Sequence, residues 1–281
     1  MERDLLTAGE SIVRVPPKLM AASRNTARTY GKSDPIDALA VARAALREPD
    51  LPVARLDGPD REVRLLVDHR ESLVAERTRI ICRLRWHFHE LDPSWEPNAR
   101  ALDRSSAYDT IEVRLADHHG VVARLARTLV GRCRDLTLEI DQLTTEITEL
   151  VERLAPSLIA IPGCGALTAA KILGETAGVD RFRSKDAYAR HSCTAPLPVR
   201  SSNKARHRLS RTGNRQLNAA LHRIAMTQAR WHPPATAMMA RCKDSGDSGR
   251  EALRVLKRRL SDVVSAALRA DDPTPAKPAA A

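Results

Sequence analysis

Aromatic residues are scarce: Phe, Tyr and Trp make up 3% of 281 positions. Strand-rich folds draw on aromatic and β-branched side chains, so this scarcity disfavours them, while the wealth of Ala, Leu and Arg favours helices. Five cysteines (Cys82, Cys133, Cys164, Cys193 and Cys242) are scattered, and none forms a C-x-x-C pair. A zinc site and a disulfide framework are therefore both disfavoured, and a reducing, cytoplasmic setting fits. No apolar run nears the roughly 18–20 residues that span a bilayer. No basic-then-apolar leader opens the chain either, so no membrane partner is expected. The most informative absence is of acid: from Ala187 to Lys243 there is neither Asp nor Glu.

That acid-free window holds Arg190, Arg200, Lys204, Arg206, Arg208, Arg211, Arg215, Arg223, Arg230, Arg241 and Lys243. These eleven charges equal the net charge of the whole chain, +11, so the remainder is neutral. A soluble surface mixes signs, whereas a neutral body with one segregated basic segment is the footprint of a polyanion partner. Nucleic acid is the expected partner. An anionic membrane surface fits less well, because the segment lacks an apolar face bearing Trp or Phe.

The length suits two or three compact units. Residues 1–50 read as part of an α/β unit, with "SIVRVPP" (Ser11–Pro17) as a short strand and "DPIDALAVARAALRE" (Asp34–Glu48) as a helix. Residues 56–155 read as a helical arm. Val63, Leu66, Leu73, Ile80, Leu84 and Leu91 follow an approximate heptad, stopped by Pro93 and Pro97. Ile111, Leu115, His118, Val122, Leu125, Leu129, Cys133, Leu136, Ile140, Leu143, Ile147, Leu150 and Leu154 form a second seam with one stutter. Unbroken, this helix would run roughly 65 Å; Gly120 and Gly131 are the weak points. The two seams predict a long antiparallel coiled-coil arm, with an ordinary helical bundle as the alternative. Residues 156–270 read as a C-terminal helical domain, with 233–250 as a loop-prone linker around a short helical stretch and 251–270 as a last helix with a basic face. The tail 271–281 is disordered by composition.

Three motifs carry candidate chemistry. "LIAIPGCGALTAAKILGE" (Leu158–Glu175) has the form of a helix-hairpin-helix. Gly163 and Gly165 would supply positive φ at the turn, the next helix would offer backbone N–H groups to a phosphate, and Lys171 would add charge. A plain helical corner is the alternative. "VRSSNKARHRLSRTGNRQLNAALHRIA" (Val199–Ala225) places Ser201 and Ser202 ahead of an arginine run. Lys204, Arg206, Arg208, Arg211, Arg215 and Arg223 suit consecutive backbone phosphates, and the want of aromatics argues against base stacking. Thr212 or Asn214 would cap the helix that follows, with Leu217, Leu221 and Ile224 buried. The serines serve either as caps and phosphate donors or as a nucleophile flanked by arginines. Finally, Asp34 and Asp37 in "GKSDPIDA" (Gly31–Ala38) share a helical face. Either they share Mg²⁺ or Mn²⁺, or Asp34 caps a helix with Pro35 at its first position and Asp37 in its first turn.

Taken together and in this order, "VRVPPKLM", "RTYGKSDPIDALAVARAAL", "IPGCGALTAAKILGE" and "RSSNKARHRLSRTGNRQLNAALHRIA" resemble the DEDD transposases of bacterial insertion sequences, the bridge-RNA-guided recombinases. The resemblance spans about residues 10–268. It implies a mainly α chain with a remnant of an RNase H-like α/β domain, a coiled-coil arm and a C-terminal transposase domain. It implies four Mg²⁺-binding acids, the last two matching Asp34 and Asp37, and a catalytic serine. Ser202 is the first choice and Ser201 the second, with Asn203 where the family commonly has glycine. The implied chemistry is serine attack on DNA, a phosphoserine intermediate and strand exchange, with DNA, a guide (bridge) RNA and a homo-oligomer as partners. The family's first two acids have no match, since Glu2, Asp4 and Glu10 stand in other contexts. The sequence therefore reads as an N-terminally truncated copy with weak or no activity of its own. A non-enzymatic nucleic-acid-binding remnant and a structural helical adaptor are the competing readings, and the basic segment disfavours the adaptor.

Overall fold

The computed structural model describes residues 2–25, 33–48, 51, 53–54, 58–98, 102–199, 206–208 and 212–272. Contacts divide the chain into two units, meeting at Gly58 and Pro59. The expected arm and C-terminal domain fall together in the second.

The first unit contains α1 (Glu2–Thr7), α2 (Pro17–Asn25) and α3 (Asp34–Arg47). The strand expected at Ser11–Pro17 is reduced to one antiparallel bridge between Val13 and Val53. The second proline of the pair opens α2, because its missing N–H costs nothing in a first turn. Helix α3 starts as its prolines and acids dictate, but its cap is Ser33, one residue earlier than expected. Asp34 is thus the first helical residue and Pro35 the second. Helix α2 packs on α3, with Ala40, Ala44 and Ser23 buried.

Among the described residues, the elements of the second unit are helices and one hairpin. Helices α4 (Pro59–Leu91), α5 (Ser105–Ala116), α6 (Val121–Leu154), α7 (Pro156–Ile159), α8 (Ala166–Thr176) and α9 (Lys185–His191) lead to strands β1 (Leu197–Val199) and β2 (Arg206–Arg208). Helices α10 (Arg215–Trp231), α11 (Pro233–Asp244) and α12 (Gly249–Asp271) follow. The short helical stretch expected within 233–250 extends over Pro233–Asp244, with Pro233 and Pro234 in the first turn of α11, where proline is tolerated.

Helices α4 and α6, each about 50 Å long by their rise, form the spine. Glu139 pairs with His69 and Arg132 with Glu76, so partner numbers fall along α6 as they rise along α4, and the helices run antiparallel. The long helix expected over 110–154 is broken. Asp117 ends α5, and Gly120, at φ +95°, starts α6. Beyond the break the register shifts. Ala123, Ala126 and Val130 are buried, while Leu125 of the expected seam is 40% exposed. Gly131 lies within α6 without interrupting it.

Two cores lie along this spine. One gathers Leu73, Ile80, Leu84 and Phe88 of α4, Tyr108, Ile111 and Leu115 of α5, and Leu129 to Ile140 of α6. Trp95 closes it, stacked on Phe88 at 4.2 Å and with the Arg114 guanidinium over its ring at 4.3 Å. The other packs Val63, Val67, Ile147 and Val151 against α7, α8, α10, α11 and α12. Each fully buried Leu, Ile or Phe there contributes about 1.5–3 kcal/mol. The second core carries the basic segment.

Candidate nucleic-acid interface

The turn between α7 and α8 is set by Gly163, at φ +81°. A β-carbon there would meet Thr227 Cγ2 at 3.0 Å, so the turn lies directly on α10. Gln228 Nε2 clamps it by donating to the Pro162 carbonyl at 2.8 Å. The second glycine behaves otherwise than expected. Gly165 caps α8 at φ −75°, an ordinary backbone, and space beside it is open.

Lys171 corrects a second expectation. It is 4% exposed. Its ammonium donates to Asp68 at 3.1 Å and Glu71 at 2.9 Å and lies 3.7 Å from Glu175. Burial pulls its pKa down, but the carboxylates of Glu71 and Asp68 together outweigh that and hold it above the ordinary lysine value. The helix turns Lys171 inward against α4, away from any phosphate at the turn, so it is a tie between helices rather than a nucleic-acid ligand.

Helix α10 begins as its sequence suggests. Asn214 is the cap, its Oδ1 accepting from the Leu217 N–H at 2.9 Å, and Leu217, Leu221 and Ile224 are buried. The same residue fixes the helix to its neighbours. Its Nδ2 donates to Glu175 at 2.6 Å, and its backbone N–H donates to the His191 carbonyl at 2.6 Å. Gly213 makes this approach feasible: an added β-carbon would lie 2.2 Å from the His191 carbonyl oxygen. Gly213 and Glu175 were not singled out from sequence, since the backbone that excludes a side chain at Gly213 comes from α9.

Arg208, Arg215 and Arg223 are exposed. None of them has a carboxylate partner among the described residues, in contrast to Arg134 and Arg258, each paired with two acids. Thr227, which meets the Gly163 turn, lies one helical turn beyond Arg223, whose carbonyl accepts its hydroxyl at 3.1 Å. The Gly163 turn therefore lies beside the stretch of α10 that carries Arg223, with Arg230 on the same face of α10 as Arg223. Strands β1 and β2 pair antiparallel, Leu197 opposite Arg208 and Val199 opposite Arg206. Ser201, Ser202, Lys204 and Arg211 lie outside the described residues, as does the side chain of Arg206.

Asp34 and Asp37 belong to the first unit. Asp34 is exposed. Asp37 accepts from Arg24 Nη1 at 3.1 Å. No group of three or more His, Cys, Asp or Glu side chains with metal-binding placement occurs among the described residues. No helix among them is long and apolar enough to cross a membrane.

Two family models match this chain. One, described as the transposase IS116/IS110/IS902 family, covers residues 155–240, from the Gly163 turn to beyond Arg223. The other, described as a transposase, covers residues 4–93, including Asp34 and Asp37. Two relatives are 27% identical, each alignment covering 94% of this chain and 78% of the relative. They are the insertion element IS900 uncharacterized 42 kDa protein of Mycobacterium paratuberculosis and the insertion element IS116 uncharacterized 44.8 kDa protein of Streptomyces clavuligerus.

Proposed function

We propose, from the premise that this chain belongs to the IS116/IS110/IS902 family of transposases, that its second unit grips DNA and breaks and rejoins a strand through a serine. The observation that carries the reading is the surface joining the Gly163 turn to α10. There Arg223, from the acid-free segment, stands exposed with no carboxylate partner among the described residues. Such a surface suits phosphates and, without aromatic platforms, contacts the backbone rather than the bases.

The Ser202 hydroxyl, or failing that Ser201, attacks a phosphodiester phosphorus. The serine proton leaves to solvent or a base, the bond to one sugar oxygen breaks, and that oxygen takes up a proton. The phosphoserine ester conserves the bond energy. A sugar hydroxyl from another strand then attacks it, displaces the serine and completes the exchange without net hydrolysis. Arginines beside the phosphate offset charge as it develops. Exchange between two strands calls for two such serines, which supports a homo-oligomer. A guide RNA rests on the family resemblance.

The family resemblance assigns Asp34 and Asp37 to Mg²⁺. As placed, the pair does not fit a resident ion by itself: Arg24 already engages Asp37, and no third ligand joins them among the described residues. No step is derived through the metal.

The test is trapping on a suicide DNA substrate with Mg²⁺ and a guide RNA. A covalent protein–DNA adduct, lost in Ser202→Ala and kept in Ser201→Ala, is expected. An adduct surviving both substitutions together would remove the serine mechanism. DNA binding with no adduct under any condition would leave the alternative, a nucleic-acid-binding protein without strand transfer.

A further inference from the structure

The second unit buries two lysines with opposite surroundings. Lys171, 4% exposed, has carboxylates from Asp68, Glu71 and Glu175 about it. Lys257, 6% exposed, has none among the described residues; the titratable groups beside it include the Cys193 thiol and the Arg254 guanidinium. Its ammonium donates at 2.7 Å to the neutral Asn218 Oδ1, and Asn218 is itself held by donating to the Ser192 carbonyl at 2.9 Å. A buried ammonium without a counter-ion is costly: it gives up its proton more readily unless something else supplies negative charge.

Lys257 lines a pocket of about 370 Å³ between the base of the β1–β2 hairpin and α12. Arg208 enters from the hairpin, and Arg254 and Arg259 enter from α12. Arg254 is fixed by donating to the His207 carbonyl at 3.0 Å. Arg258 also lines the pocket but is neutralised by Asp186 and Asp262. Two acids reach the lining, Asp247 and Glu251, and Glu251 is engaged by Ser248 at the start of α12. The cations exceed the acids, and one of them is buried.

We infer that this pocket binds a phosphate group, with Lys257 as its buried cation and Arg208 and Arg254 at its mouth. The volume exceeds what one phosphate fills, at about 30 Å³ per displaced water, and leaves room for adjoining sugar. That favours a backbone phosphate of DNA over a free phosphate. The assignment of DNA as the source rests on the function proposed above; the assignment of a phosphate does not. It adds α12 to the contact surface, a helix that lies beyond the acid-free segment.

The experiment uses the full chain labelled with ¹³C at lysine Cε. The chain has eight lysines, and Lys257→Met identifies the Lys257 signal. Its titration is followed alone, with inorganic phosphate, and with a short DNA duplex. An anion seated against the ammonium raises the midpoint by about one to three pH units. The expected result is that rise with DNA, together with a drop of about 0.9 in the salt slope of DNA binding for Lys257→Met. A rise with phosphate but not with DNA would keep the phosphate pocket and overturn DNA as its source. No rise with either would overturn the pocket itself. Failure of the chain to bind DNA at all would remove the function proposed above, and the phosphate arm would still test the pocket. If Lys257→Met does not fold, Lys257→Arg identifies the signal by its loss, and the wild-type titrations stand.

Discussion

Replacing Lys171 by methionine keeps the apolar stem of the side chain and removes its charge. Three carboxylates then lose a cation, and their exposures set the cost. Asp68 and Glu71 are 49% and 42% exposed, so they return to water at little loss, as exposed pairs do. Glu175 is 6% exposed and cannot. It keeps the Asn214 amide at 2.6 Å and Arg64 at 3.9 Å. Breaking a fully buried pair costs about 3–5 kcal/mol; with two partners solvated and the third still hydrogen-bonded, we expect about 2–3 kcal/mol. In a unit of this size each kcal/mol lowers the melting point by about 2–4 °C, so a fall of roughly 5–10 °C is expected. The assay is thermal and urea unfolding followed by far-ultraviolet circular dichroism, beside a salt series of DNA binding by fluorescence anisotropy. The salt slope should not change, because the charge removed faces α4. A stability change under about 0.5 kcal/mol with a reduced salt slope would refute the reasoning and return Lys171 to the phosphate ligands.

Gly213→Ala sets a β-carbon 2.2 Å from a backbone oxygen, and such overpacking should cost about 3 kcal/mol; urea unfolding midpoints would show it, and a neutral result would mean that the loop before α10 moves aside. Arg223→Ala should weaken DNA binding uniformly across sequences and lower the salt slope by about 0.9 without altering the melting point; an unchanged slope would remove α10 from the interface. Burial pushes the Lys257 ammonium down to about 8, below its value in the unfolded chain. Between pH 8 and about 10.4 the unfolded chain therefore binds more protons, and wild-type stability should rise with pH relative to Lys257→Met by on the order of 3 kcal/mol. The comparison must be between the two proteins. Burial raises the Cys133 and Cys164 thiols to about 11 and about 12, which lowers stability above about pH 9 in both alike. A relative stability that is flat with pH would mean that Lys257 titrates as an ordinary lysine.

Local chemistry made much of this protein legible from its sequence. Pro35 and its flanking acids placed the start of α3 to within one residue, the asparagine cap and the 3.6-residue spacing placed α10, and the heptad spacing marked most of the buried faces of α4 and α6. These signals act within a turn or two of chain, so they need no knowledge of the rest. The turn at Gly120 was harder to read, because the apolar spacing continues across Asp117–Gly120 while the chain does not continue as a helix. The concentration of positive charge in one segment was equally plain, since an absence of acids can be counted.

Sequence could not say which cations are free. Lys171 and Lys257 are both helical lysines near hydrophobic neighbours, and Glu175, one turn beyond Lys171, is the one local hint that they differ. The acids that neutralise Lys171 come chiefly from α4, about a hundred residues earlier, whereas Lys257, among the described residues, donates to an amide thirty-nine residues away. A sequence fixes the sign of a charge and the face of a helix that carries it. Whether that charge meets a carboxylate, water or a waiting pocket depends on which distant helix packs beside it, and only the tertiary structure decided that.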